Sequence, residues 1–308
     1  MKCYLDGFAL RENEMQIDLV RAKDAGLLAQ CMAIFVPTHD IAKEYHVDLS
    51  PGDYFEACLE VYRRELDANS DLIAPALCVQ DITDNASSGV LSSILTLENG
   101  VIVEGQLQRL DELFALGVRL ITLTWNYENC FGFPQSEDPA AMKLGLKPFG
   151  IEAVEYMNNL GIIVDVSHLS DGGFDDVARF SKKPFTASHS CSRALCDVGR
   201  NLTDRQLRVL GENGGVCGVN FVPMFVEKGA TLARTDDVLR HIRHVADKAG
   251  IDAVAFGSDF DGFTGEVEFG GCCGMPGLID ELCKVFHENE VEKISSGNAL
   301  RLLHETIG

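Results

Sequence analysis

The sequence predicts a (β/α)8 TIM barrel, one α/β domain spanning residues 1–308. Three observations carry that prediction. Short apolar runs alternate with amphipathic segments along the whole chain, and eight such runs can be counted. Two consecutive runs, 161–166 and 184–187, end in the same dipeptide, Ser167-His168 and Ser188-His189, with helical spacing at Phe174, Val177 and Phe180 between them. No glycine-rich phosphate loop follows the first run, which disfavours the doubly wound open sheet that the same alternation allows.

The expected strands are 3–6, 30–36, 92–97, 119–124, 161–166, 184–187, 215–220 and 253–257. Those at 161–166 and 184–187 are apolar runs rich in small or β-branched residues, the composition of a parallel strand buried on both faces. The segment 3–6 is short and poorly patterned, and is placed as a strand to complete the set. Helical patterns fill the intervals at 17–25, 54–68, 105–116, 140–160, 174–180, 203–212 and 235–249, and two more follow the last strand at 277–287 and 291–303. Thr203 is the expected N-cap of its helix, and Pro148 falls early in its pattern, where proline is tolerated. The glycine-rich stretch 262–277 has no periodicity and follows the last strand, so it belongs over the barrel mouth or on the surface as a connection.

Composition narrows the functional classes. A net charge of −21 excludes nucleic acid as the main partner, because phosphate binding needs clustered Lys and Arg. Eleven cysteines, an odd number lying mostly in apolar runs and without a CxxC pair, read as the reduced thiols of a cytoplasmic protein. The N-terminal MKCYLDGFAL is too short and too soon acidic for a signal peptide, and no apolar run reaches membrane-spanning length.

In a barrel, the carboxyl ends of the strands converge on one mouth, where chemistry is done. Glu98 closes one run, Trp125 and Asn126 follow the next, and His168, His189 and Asn220 end three more. The last run ends in Gly257-Ser258-Asp259-Phe260-Asp261-Gly262. Glu98, His168 and His189 therefore make a candidate N2O metal triad with a position open for water, whose pKa the ion would lower toward neutrality. Asp259 is placed to accept that water's proton and pass it to a leaving amine, against the plainer reading of an Asx turn. Arg200, in the loop after 184–187, can clamp a carboxylate bidentately or simply be solvated. His241, His244, His287 and His304 lie away from any strand end and are read as surface residues.

These residues sit in stretches that resemble the membrane dipeptidase (renal dipeptidase) family, peptidase family M19, of binuclear zinc peptidases. The matching segments are LTLENG at 95–100, GVRLITLTWNYEN at 117–129, GIIVDVSHLS at 161–170, PFTASHSCSRALCDVGRNLTDRQL at 184–207, AFGSDFDG at 255–262 and SGNALRLL at 296–303. The resemblance implies a (β/α)8 barrel of the metallo-dependent hydrolase type that cleaves dipeptides by a zinc-bound hydroxide, often tolerating a D-residue on the C-terminal side. It implies that Glu98 matches a bridging zinc ligand and that His168 and His189 match the ligands of the second zinc. It also implies that Asp259 matches the proton-transfer aspartate and that Arg200 matches the arginine holding the substrate carboxylate. Trp125 stands where the animal enzymes have a substrate-contacting histidine, and Asn220 joins it as an expected substrate neighbour.

One departure is large. The family's first strand ends in Asp-Gly-His-x-Asp, and here the segment reads Asp6-Gly7-Phe8-Ala9-Leu10. Neither Phe8 nor Leu10 has a lone pair for a metal. One zinc ion is therefore expected, a second is not, and turnover should be reduced. The alternatives are a catalytically impaired barrel and a mononuclear amidohydrolase. The expected partner is a dipeptide, with neither nucleic acid nor membrane, and a homodimer is the assembly considered.

Overall fold

In chain order the strands are β1 (Ala29–Phe35), β2 (Ile73–Pro75), β3 (Leu91–Glu98), β4 (Leu120–Thr122), β5 (Ile163–Asp165), β6 (Thr186–Ser190), β7 (Val216–Val219), β8 (Leu232–Ala233), β9 (Val254–Phe256) and β10 (Glu266–Val267), in a computed structural model that describes residues 2–308. One parallel sheet runs β1-β3-β4-β5-β6-β7-β9, with β2 added beside the start of β3. It curls into the arc of a TIM barrel with helices outside, as the strand–helix alternation predicts. β3, β4, β5 and β7 are buried almost throughout, which explains why they show no strict alternation of polar and apolar residues. The core lies between this sheet and the outer helices, around Phe131, Val154, Met157, Phe174, Phe185, Leu207 and Ile242. Burying each such side chain stabilises the fold by about 1.5–3 kcal/mol. No helix among the described residues is long and apolar enough to cross a membrane.

The first expected strand is not one. Residues Lys2–Leu5 form a short helix, and Tyr4 packs edge-on to Tyr54 with ring centroids 5.3 Å apart. Tyr4 and Leu5 are adjacent, yet both pack on the core. Neighbouring residues can share one side of a helix, whereas a strand sends them to opposite faces. Among the described residues no strand pairs β1 with β9, and coil ties the two ends of the sheet. Gln16 exchanges bonds with Asp261 in both directions at 2.8 Å and accepts from the Cys272 N–H at 2.9 Å. Leu10 N–H donates to Glu65, and Leu10 and Ile17 pack in a cluster with Met32 of β1 and Phe260 beyond β9.

Smaller differences have local causes. The pattern at 140–160 yields a 3-10 turn at Ala141–Lys143 and an α-helix only from Pro148 to Leu160, because proline is accommodated at N1 but not in a helix interior. Thr203 does cap its helix, accepting from the Gln206 N–H at 3.2 Å.

His241 is not a surface residue. It is fully buried: its Nδ1 accepts from the Ser192 N–H at 3.1 Å and its Nε2–H donates to the Val226 carbonyl at 2.8 Å. Burial holds its pKa below the ordinary histidine value. As pH falls below about 6.5 the unfolded chain takes up a proton that the folded imidazole refuses, so this residue's stabilisation shrinks with acidity. We expect His241→Ala to cost about 1–3 kcal/mol for each orphaned backbone group near neutral pH. Urea unfolding at about pH 7.5 and about pH 5.5 should show the gap from wild type narrowing at the lower pH. A gap of constant size would mean that His241 is not held neutral. His244 is also half-buried and bonds Asp204 at 2.7 Å.

Candidate metal centre

Parallel strands present their last side chains to the same mouth, and three of those ends meet. β3 delivers Glu98 as its final residue. His168 follows β5 by three positions and takes φ +67°, a left-handed conformation uncommon for a non-glycine residue and concentrated at functional sites. His189 lies inside β6, where the register with β7 slips between Ala187 and Ser190; the bulge re-aims the strand there. The expected strand end at residue 187 is therefore overrun, and β6 carries the Ser-His pair within it.

The His168 and His189 Nε2 atoms stand 3.1 Å apart, and Glu98 Oε1 lies 3.2 Å from the first and 3.7 Å from the second. Among the described residues these three form the group whose ligand atoms all fall within 4.8 Å of one another. His168 Nδ1 faces the Asn126 Oδ1 at 3.2 Å, which leaves its Nε2 directed at the cluster. Two imidazole nitrogens and a carboxylate oxygen, converging from one buried and two half-buried side chains, are the donor set of an open zinc site. Burial favours the neutral form of Glu98, but the adjoining imidazoles outweigh it and hold the carboxyl well below the usual range. Burial, reinforced by Arg200, pushes His168 down to about 3. For His189, burial and Arg200 oppose the charged form, but Asp259 and Glu98 prevail and the pKa rises.

Asp259 stands across from the histidines after β9, with φ +59°. Burial raises its pKa above the usual carboxylate value, and Asn220 donates to its Oδ2 at 3.2 Å. Gly262 lies close beside it, and a Cβ there would meet the Asp259 Oδ1 and displace the carboxylate. Asn220 is wholly engaged: its Nδ2 reaches Asp259 and the His189 carbonyl, and its Oδ1 accepts the Val222 N–H at 2.6 Å. Arg200 is buried at 5% exposure, donating to Ser190 Oγ and the His189 carbonyl, both at 2.9 Å. Its Nε–H has no hydrogen-bond partner. Trp125 walls the site, 6.0 Å from the His168 ring and 4.9 Å from Phe35. Phe8 is exposed and Leu10 is packed beside Glu65, so neither joins the ligand group.

The family model described as Membrane dipeptidase (Peptidase family M19) matches residues 4–307. The chain belongs to the membrane dipeptidase family M19. It is 34% identical over 268 residues to an uncharacterized protein in the pqqA 5' region of Klebsiella pneumoniae, covering 82% of this chain and 97% of that protein. It is 35% identical over 237 residues to an uncharacterized dipeptidase of Schizosaccharomyces pombe, covering 74% of this chain and 56% of that protein. Among solved structures, the metallo peptidase from Rhodobacter sphaeroides liganded with a phosphinate mimic of the dipeptide L-Ala-D-Ala superposes with a TM-score of 0.87 at 28% identity, covering 99% of this chain and 93% of that one. Family membership makes this chain a metallopeptidase-type barrel, with its candidate ligands at the mouth where such barrels work.

Sequence reasoning did not single out Asp165 or Thr122, which are buried polar groups beneath the ligands, and noted Ser188 only as half of a repeated dipeptide. The available signal was the lone aspartate in the apolar run GIIVDV, since an unpaired buried carboxylate is costly.

Proposed function

We propose that this protein is a zinc-dependent dipeptidase that binds one ion per chain through Glu98, His168 and His189. The observation that carries the reading is the convergence of those three donors at neighbouring strand ends in an M19 chain. A divalent ion held there supplies Lewis acidity and a water acidic enough to ionise near neutral pH. Asp259 takes the proton of the attacking water and returns it to the leaving amine; the buried site keeps its pKa raised toward the range where both transfers run. Asn220 orients Asp259 rather than touching substrate. Arg200 offers its unpartnered Nε–H and charge to the substrate's free carboxylate, and Trp125 lines the adjoining wall. A second ion would have Glu98 and Asp259 alone, a thin shell for zinc, which takes three protein ligands even in open sites. Low turnover is therefore part of the proposal, and a catalytically impaired barrel is its limiting form. The free thiols among the described residues favour a reducing, cytoplasmic setting.

The test is turnover of zinc-loaded protein on L-Ala-D-Ala and related dipeptides, with metal counted per chain by elemental analysis. One ion with slow hydrolysis is expected; two ions with brisk hydrolysis would refute the single-site reading. Arg200 adds a second check. Dipeptides amidated at the C-terminus should be cleaved with kcat/KM lower by about 30-fold to several thousandfold, the loss of a desolvated charged partner worth about 2–5 kcal/mol. Equal rates on free and amidated substrates would remove Arg200 from the carboxylate site.

A further inference from the structure

Asp165 ends β5 with no exposed surface. Its Oδ1 accepts the Ser167 and Ser188 backbone N–H groups, both at 2.9 Å. Its Oδ2 accepts the hydroxyls of Thr122 and Ser188, both at 2.6 Å. A carboxylate has about four lone-pair positions, and here four donors fill them. No place is left for a proton on Asp165, so it is ionised and the single hydroxyl proton of Ser188 points to it. Ser188 Oγ also lies 2.7 Å from His189 Nδ1. With its proton committed, that oxygen can only accept, and the hydrogen between them must be carried by Nδ1.

We propose that Asp165, acting through the Ser188 hydroxyl, is a positioning group that fixes His189 in its Nδ1–H tautomer and so presents a bare Nε2 to Glu98 and His168. The proposal rests on the metal reading only for the purpose of the device, because the hydrogen-bond chain itself exists without an ion. Its form differs from the lock on His168, which is the amide of an exposed asparagine, Asn126. The carboxylate that anchors the His189 lock is fully buried. Partners of this kind, one bond removed from a metal, typically contribute about 10–100-fold in affinity.

The deciding measurement uses metal-free protein labelled with 15N-histidine, with the pH raised until the nitrogen shifts show His189 neutral, because its pKa lies above the ordinary histidine value. Long-range proton–nitrogen correlation reads the tautomer, with His189 assigned by loss of its signals in His189→Gln. Wild type should show His189 protonated at Nδ1. Ser188→Ala should shift it toward the Nε2–H form that free imidazole side chains prefer, and Ser188→Thr should restore Nδ1–H. Zinc affinity, measured by competition with a chelating dye, should weaken about 10–100-fold in Ser188→Ala and recover in Ser188→Thr. A His189 that is Nε2–H in wild type, or that stays Nδ1–H in Ser188→Ala, overturns the proposal whatever the zinc result. A tautomer that shifts in a protein binding no zinc upholds the relay and refutes the metal site instead.

Discussion

His168→Ala is expected to remove the bound metal and to lower dipeptide turnover by at least about a hundredfold, more than the loss typical of a residue one bond removed from the ion. The imidazole supplies one of three protein donors, and its Nε2 is in contact with both of the others, at 3.1 Å from His189 and 3.2 Å from Glu98. Truncation leaves one histidine and one carboxylate, fewer than the three protein ligands an open zinc site uses. Elemental analysis after exhaustive dialysis should find the variant empty and the wild type loaded. Chelation should inactivate the wild type, and added zinc should restore it while failing to rescue the variant. His304, exposed near the C-terminus, is the appropriate control. His241 is not, because its imidazole is buried between Ser192 and Val226 and its removal would disturb the fold. Full metal occupancy in His168→Ala would refute the three-ligand assignment.

Asp259→Asn should lower kcat by about 10²–10⁴, the usual contribution of a positioned acid–base group, while leaving the metal in place. Asparagine keeps the shape of the side chain and can still face Asn220, but it cannot take up and release a proton. The structure separates Asp259 from the ligand group: among the described residues that group is Glu98, His168 and His189. KM should change little, since Arg200 and Trp125 rather than Asp259 are proposed to hold the substrate. Metal analysis makes the experiment decisive. If Asp259→Asn empties the site, Asp259 is a ligand and the proton carrier must be sought elsewhere. Asn220→Ala should show a smaller loss of kcat in the same direction, because it frees Asp259 without removing it.

Seven of the eight strands expected from sequence appear in the barrel sheet, and the reason is particular to buried parallel strands. Runs such as 161–166 and 215–220 must be apolar on both faces, so burial writes itself directly into composition. The polar residue that ends each run is then conspicuous, and parallel strands carry those residues to the same side of the sheet. Glu98, His168 and His189 could be named as one group on those grounds. Residues 3–6 had no such pattern, and their helix is decided by contact of Tyr4 with Tyr54, which lies far along the chain.

By itself, the sequence determined the order of the strands, the side of the sheet where their polar ends gather and the residue types found there, because hydrophobic patterning and chain direction are local properties. Only the tertiary structure decided which polar groups lie buried against one another. His241 reads as an ordinary helical histidine until the Ser192 N–H and the Val226 carbonyl close around it. Asn220 stands in the sequence as a single polar residue ending an apolar run, and only the fold joins it to Asp259, the His189 carbonyl and the Val222 N–H. Asp165 gains its meaning from four donors brought from β4, β6 and its own turn. A hydrogen bond depends on distances of a few tenths of an ångström between segments remote in sequence, and no pattern along the chain encodes that.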